Sequence, residues 1–261
     1  MTLAPSETQP WIRRFRPAPA ARTQLVCLPH AGGSAPFYLP MTKALAPETD
    51  VLAVQYPGRQ DRRDEKGISS IPELADAVAR ELLEWADRPM TLFGHSMGAS
   101  VAFEVARRLR DADVNVLGLI VSGRCAPPCR CIAKRQLFTD EHIIDNVRRL
   151  SGTDAQVLGD DDVVRMILPA LRNDYAAVLS YRSEPGASIP YPLVALMGDA
   201  DPQVPVIDAR PWADHTESDF DMHVFPGGHF YLNDQPAAVA NTVRHHIRRW
   251  ATADAARDRV A

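Results

Sequence analysis

Short apolar runs alternate with longer segments of helical spacing along most of the chain. The runs Gln24–Leu28 and Asp50–Tyr56 are largely apolar, and each stops at a proline followed by a turn. Uninterrupted apolar strands are typical of a sheet that is covered on both faces. Further runs of the same form are Met90–Phe93, Val116–Val121, Leu193–Met197 and Met222–Phe225.

Helical patterns fill the segments between these strands. In Ile71–Trp85 the apolar residues recur every three or four positions, which is the spacing of an amphipathic helix. Strands that alternate with helices predict an α/β protein with a mostly parallel central sheet, flanking helices and right-handed crossovers. The alternation continues to the final helix without an internal repeat, so we expect a single domain over residues 1–261.

One segment departs from this alternation. Residues from about 124 to 188, here called the lid segment, carry helical patterns and no convincing strand. An all-helical insertion between two strands of a sheet is what a lid over an active site would look like. A pair of covering helices with no gating role is the alternative interpretation.

The composition excludes some classes of function. The chain has 261 residues, 46% of them apolar, and a formal net charge of −4 from 29 basic and 33 acidic residues. Duplex binding usually needs a clear basic surplus, so we expect no nucleic-acid partner. No apolar run approaches the roughly 20 residues that span a bilayer, and the N-terminus lacks the apolar centre of a secretion signal. We therefore expect a cytoplasmic protein with no membrane association.

The motif Gly94-His-Ser-Met-Gly98 has the form G-x-S-x-G and directly follows the predicted strand Met90–Phe93. A helical pattern with Val101 and Leu109 on one face begins immediately after it. Such a setting is typical of a nucleophile elbow, a strained turn that needs small residues around the serine. The helix N-terminus beneath the turn favours developing negative charge. We therefore predict a serine hydrolase of the α/β-hydrolase fold, with Ser96 as its nucleophile.

A serine nucleophile needs a base, and the base needs a carboxylate that holds its tautomer. In α/β-hydrolases the chain order is serine, acid and histidine. The segment Met197–Val204 offers two aspartates after a strand, of which we choose Asp201, with Asp199 as the competitor. The predicted base is His229, which follows the last strand and two glycines. The less favoured histidines are His223 within a strand, His245 and His246 on the terminal helix, and His95 beside the nucleophile, where a structural role is expected.

An oxyanion hole completes such a site. One donor should be the backbone N–H of Met97, the residue after the nucleophile. The second is assigned to the N–H of Ala31, within the oxyanion loop Pro29–Gly33 that follows an early strand. Gly32 and Gly33 could instead form a plain turn or a phosphate loop, but no dinucleotide or Walker pattern follows them.

With these pieces assembled, the chain resembles the type II thioesterases that accompany polyketide and nonribosomal peptide synthases. The resemblance covers almost the whole chain, and together its motifs are strongly diagnostic. The matching segments, in the order of the family, are Trp11–Pro17, Leu28–Ser34, Gln55–Gln60, Gly94–Gly98, Gly198–Pro202 and Pro226–Phe230.

This resemblance implies hydrolysis of acyl thioesters from the phosphopantetheine arm of carrier proteins, in an editing role that clears stalled or wrongly primed acyl groups. It implies no metal and no bound cofactor, since the pantetheine belongs to the substrate. The expected partners are acyl carrier or peptidyl carrier domains, bound transiently by a monomer. An oxygen-ester hydrolase or an acyltransferase with the same triad is the alternative, and a carrier-binding module with a relict site is a third interpretation.

Two features of the lid segment depart from the family or add to it. Cys125, Cys129 and Cys131 stand where the family commonly has a second arginine and no cysteine cluster. They lack a convincing fourth ligand and the usual paired spacing of a metal site, so we interpret them as incidental thiols. A basic stretch could dock an acidic carrier domain or be a solvated surface; its members are Arg124, Arg130, Lys134 and Arg135.

Overall fold

A seven-stranded sheet forms the centre of the protein. The structure, a computed structural model, describes residues 11–127, 139–151 and 161–257. The strand order is β1-β3-β2-β4-β5-β6-β7, with β1 antiparallel to β3 and every other neighbouring pair parallel. The predicted α/β class with a mostly parallel sheet is therefore confirmed. The strands are β1 (Ile12–Arg13), β2 (Thr23–Leu28), β3 (Thr49–Val54), β4 (Met90–His95), β5 (Val116–Ser122), β6 (Leu193–Gly198) and β7 (Phe220–Phe225).

Helices cover both faces of this sheet. Strands β2 to β6 are buried at every position, as their continuous apolar sequences predicted. One face packs its apolar side chains against α2 and α3, and the other packs against α1 and α7. The helices are α1 (Leu39–Leu45), α2 (Ile71–Leu82), α3 (Met97–Asp111), α4 (Asp140–Ser151), α5 (Asp161–Ser180), α6 (Tyr231–Asp234) and α7 (Pro236–Arg257).

The lid segment contributes α4 and α5 between β5 and β6, and its described residues include no strand. The two helices pack through Ile143, Leu171 and Tyr175. The side-chain amide of Asn146 also donates a hydrogen bond of 2.7 Å to the hydroxyl of Tyr175. A 3-10 helix that the apolar pattern did not predict, Val206–His215, follows β6. Its mean hydropathy is close to neutral and it contains Pro211, so neither periodicity nor composition indicated it.

One cysteine of the lid segment differs from the expectation. The sulfur of Cys125 is in a disulfide bond, so the prediction of an incidental thiol is wrong at this position. Cys129 and Cys131 lie outside the described residues.

Within the described ranges, none of the helices combines the length and the apolar character needed to cross a bilayer.

Candidate active site

The turn between β4 and α3 holds Ser96 in a left-handed backbone conformation, with φ 54° and ψ −117°. Residues other than glycine rarely adopt this backbone conformation, and it persists only where the surrounding structure holds it in place. A Cβ atom on Gly98 would lie 2.0 Å from the carbonyl oxygen of Leu28, and one on Gly94 would lie 2.1 Å from that of Gly98. Only glycine fits at these two positions, which is why the G-x-S-x-G spacing produces this turn.

The loops after β4, β6 and β7 bring three side chains together at one edge of the sheet. The Nε2 atom of His229 lies 3.0 Å from the Oγ atom of Ser96, and its Nδ1 atom lies 2.7 Å from Oδ2 of Asp201. The carboxylate of Asp201 also accepts hydrogen bonds from the backbone N–H groups of Gln203 and Val204 at 2.8 and 3.2 Å. His229 and Asp201 are both buried. This arrangement can carry a proton from the hydroxyl to the imidazole.

Asp199, the competitor for the acid position, has a different set of contacts. Its carboxylate accepts a hydrogen bond of 2.9 Å from the N–H of Gly227. Its own N–H donates to the carbonyl of Phe225 at 2.9 Å. Asp199 therefore ties the loop of His229 to the end of β6, while Asp201 contacts the imidazole itself.

The residues predicted to supply the oxyanion hole line the same cavity as Ser96. Met97 is the first residue of α3, where a backbone N–H has no partner within the helix. Ala31 lies across the cavity on the oxyanion loop, and both residues contact the space above Ser96. The α3 N-terminus also places the positive end of the helix dipole beneath the serine.

A buried ion pair holds the oxyanion loop against the lid segment, and sequence reasoning missed it. The N–H of Gly32, the residue after Ala31, donates a hydrogen bond of 2.8 Å to Oδ2 of Asp174 on α5. The same carboxylate accepts from the Arg59 guanidinium at 2.6 Å, and both side chains are buried. Burial raises the pKa of Asp174, and the charge of Arg59 opposes that rise. The signal in the sequence is that Arg59 lies within the family motif Gln55–Gln60.

Two further histidines lie near His229, the buried His95 and the half-buried His30. Burial, with added repulsion from His229 and Arg59, lowers the pKa of His30 to about 3. Burial also lowers the pKa of His95 well below its usual range, and charge on His229 or His30 adds to this effect. The Nδ1 atom of His95 lies 2.9 Å from the hydroxyl of Ser122. Both rings are therefore neutral near pH 7, and the structural role expected of His95 agrees with its burial.

A cavity of about 200 Å³ opens above Ser96. One wall is largely apolar and comes from α4 and α5 through Val147, Leu150, Ile167, Leu171, Tyr175 and Val178. Arg124 also lines the cavity; it is buried, and burial lowers its pKa to about 10. Arg124 is therefore not part of an exposed docking surface, because its side chain is buried and lines the cavity. The other three members of the basic stretch, Arg130, Lys134 and Arg135, lie outside the described residues.

Known proteins resemble this chain over most of its length. A family model described as "Thioesterase domain" matches residues 23–247. Thioesterase PikA5 of Streptomyces venezuelae is 46% identical, over 91% of this chain and 85% of the relative. The gramicidin S biosynthesis protein GrsT of Aneurinibacillus migulanus is 34% identical, over 87% of this chain and 90% of the relative. The solved structure of the type II thioesterase BorB, from the borrelidin biosynthetic cluster, is 46% identical with a TM-score of 0.83, and covers 93% of this chain and 99% of that one.

The fold and these matches define a serine hydrolase of the α/β-hydrolase fold that acts on thioesters. The chain belongs to the thioesterase family, and within it to the type II thioesterases of polyketide and nonribosomal peptide biosynthesis. The predictions of fold, enzyme class and family are confirmed.

Proposed function

We propose that this enzyme hydrolyses acyl groups from the phosphopantetheine arm of acyl or peptidyl carrier proteins, with Ser96, His229 and Asp201 as its catalytic residues. The observation that carries the proposal is the chain of contacts at 3.0 and 2.7 Å from Ser96 through His229 to Asp201, at the floor of a largely apolar cavity. The relatives act in biosynthetic clusters, as the borrelidin and gramicidin S names state, and this supports a carrier-bound substrate.

In the first half of the reaction, Ser96 Oγ attacks the thioester carbonyl carbon while His229 Nε2 takes the hydroxyl proton. The carbonyl oxygen becomes an oxyanion that accepts hydrogen bonds from the N–H groups of Met97 and Ala31. Asp201 stabilises the imidazolium by its contact with Nδ1. The carbon–sulfur bond then breaks, and the pantetheine sulfur leaves as a thiol with the proton from His229.

In the second half, water attacks the acyl-enzyme. His229 accepts one proton from this water, and the resulting hydroxide adds to the acyl carbon to form a second oxyanion at the same two N–H groups. Collapse breaks the ester bond and returns the proton to Ser96. The products are a free carboxylic acid and the regenerated enzyme, so water is the only co-reactant.

The cavity gives the lid segment a role in this proposal. Helices α4 and α5 supply most of the apolar wall that an acyl chain would contact. An acyl group buried there leaves water, which stabilises the bound state in proportion to its apolar area. We assign to the two helices the function of a lid that covers the acyl group during hydrolysis, in an editing enzyme that removes unproductive acyl groups.

The test compares Ser96→Ala with Ser100→Ala, which changes a serine one turn further along α3. With acyl-N-acetylcysteamine thioesters, Ser96→Ala should lower kcat by about 10⁴-fold or more. Ser100→Ala should keep most of the turnover. If Ser96→Ala hydrolyses thioesters at the normal rate, the assignment of the nucleophile is wrong.

A second assay distinguishes substrate classes. Acyl-loaded carrier domains, acyl-N-acetylcysteamine thioesters and nitrophenyl esters of the same acyl group are compared by kcat/KM. We expect the highest value for the loaded carriers, because the carrier adds binding energy that the small thioester lacks. A preference for the oxygen ester over both thioesters would instead favour an oxygen-ester hydrolase.

A further inference from the structure

Three side chains with metal-binding atoms converge on the side of the sheet that α7 covers. Asp221 and His223 lie on β7, and His246 lies on α7. Among the described residues, this is the only group of three histidine, cysteine or acidic side chains close enough to share a metal ion. The thioesterase mechanism uses none of the three.

The local structure explains why these residues meet. Alternate residues of a strand point to the same face of the sheet, so Asp221 and His223 project together. Helix α7 presents His246 to that face from among its buried residues, and the His246 side chain is only 1% exposed. The His246 ring lies 5.4 Å from that of Trp250, between ring centroids. The N–H of Met222 donates a hydrogen bond of 2.8 Å to Oδ1 of Asp221, and the Oδ2 atom of Asp221 faces the histidines.

The distances among the three ligand atoms form a triangle of suitable size for a small divalent ion. The two Nε2 atoms of His223 and His246 are 2.9 Å apart. The Oδ2 atom of Asp221 lies 3.5 Å from the first and 3.8 Å from the second. The point equidistant from these atoms lies roughly 2.0 Å from each, which is the length of zinc–nitrogen and zinc–oxygen bonds.

We propose that Asp221, His223 and His246 form a binding site for a divalent transition-metal ion, zinc above all. Two imidazoles and one carboxylate suit zinc, whose four-coordinate geometry leaves one position for water. Asp221 and His223 are partly exposed, so the ion and this water reach the site from solvent. The positive charge of Arg249 acts on His246, but Arg249 is paired with Asp219 at 2.7 Å, which reduces its repulsion of the ion.

The ion would link the edge strand β7 to the final helix α7. Strand β7 leads directly into the loop that carries His229, so the link also fixes the base of that loop. Without an ion, a hydrogen bond between the two imidazoles joins the same elements. That bond restrains only one pair of residues, whereas a metal ion restrains all three.

The experiment measures zinc binding by the intact, tag-free protein after chelator treatment and desalting. Titration calorimetry with zinc chloride should show one saturable equivalent. His223→Ala and Asp221→Asn should each weaken this binding at least about tenfold, since even indirect partners of a metal ligand cause losses of that size. These two side chains are partly exposed, so their replacement leaves the core intact.

The matched control is His245→Ala, because His245 is the exposed neighbour of His246 on the same helix. It should bind zinc as the unchanged protein does. His229→Ala should also bind zinc normally, which separates this site from metal binding at the catalytic histidine. Because zinc binding needs no turnover, failure of this proposal is distinguishable from failure of the proposed function. Co²⁺ should give the strong visible absorption of a four-coordinate site, and His223→Ala should lose it.

Three results would overturn the proposal. The first is no saturable zinc binding by the unchanged protein. The second is equal affinity in the unchanged protein and in both His223→Ala and Asp221→Asn. The third is loss of binding in His245→Ala, which would place the ion elsewhere on α7.

Discussion

Replacement of Asp174 by asparagine removes the charge through which α5 holds both Arg59 and the oxyanion loop. The carboxylate accepts from Arg59 Nη2 at 2.6 Å and from Gly32 N–H at 2.8 Å, and both charged side chains are buried. Asparagine has the same shape and can still accept from Gly32. Its amide cannot neutralise Arg59, so a buried cation is left without its counter-charge.

The expected magnitude follows from this burial. Removal of one partner of a buried ion pair costs about 3–5 kcal/mol of unfolding free energy. For a chain of this length that corresponds to a fall in Tm of roughly 6–10 °C. Since Gly32 adjoins Ala31, a displaced loop should also weaken the oxyanion donor proposed at Ala31, and loss of such a donor lowers kcat by up to about 10²–10³-fold.

Two double variants separate the charge from the hydrogen-bond acceptor. In Arg59→Met with Asp174→Asn, no buried cation remains and Gly32 keeps an acceptor, so Tm and kcat should both recover. In Arg59→Met with Asp174→Leu, the N–H of Gly32 loses its acceptor, so kcat should stay low even where Tm recovers. Thermal unfolding and acyl-N-acetylcysteamine hydrolysis measure the two quantities.

The control is Asp140→Asn, which breaks the exposed pair of Asp140 with Arg172 between α4 and α5. Exposed pairs contribute about 0–1 kcal/mol, so Tm should change little. If Asp174→Asn changes Tm as little as Asp140→Asn does, the buried pair does not have the expected energetic importance. Normal kcat in the double variant with leucine would refute the link between Asp174 and the oxyanion loop.

Two further predictions concern the acid Asp201 and the half-buried His30. Asp201→Asn should lower kcat about 10⁴-fold, because the amide favours the wrong tautomer of the imidazole; Asp199→Asn, which affects only the hydrogen bond to Gly227, should cost far less, and comparable losses in the two variants would contradict the assignment. The pKa of His30 is lowered to about 3 in the folded state, below the unfolded value of about 6.5, so the unfolded chain binds the proton more readily between these values. The neutral His30 side chain makes its full contribution to stability above the unfolded pKa. The free energy of unfolding should therefore fall by about 2 kcal/mol between pH 7.5 and pH 5. Denaturant unfolding at several pH values measures this loss, which His30→Asn should reduce and the exposed control His245→Asn should leave unchanged.

Local patterns explain why much of the fold was predictable. Buried parallel strands are apolar at nearly every position, so the predicted run Gln24–Leu28 differs from β2 by a single residue. The elbow was predictable because Gly94 and Gly98 are needed within a few residues of Ser96, where the backbone itself leaves no space for a side chain. The 3-10 helix Val206–His215 was missed because its short turns give no sustained apolar period.

The sequence alone determined the order of strands and helices, the strained turn at Ser96 and the three loops from which a nucleophile, an acid and a base were chosen. These features depend on neighbouring residues, whose spacing fixes which conformation and which face each adopts. Only the tertiary structure decided that Asp201 rather than Asp199 contacts His229, that Arg124 is buried, and that Arg59 meets Asp174. The residues of each pair are far apart along the chain. Their contacts, and the burial of Arg124, follow from how the lid segment and the loops pack on the sheet.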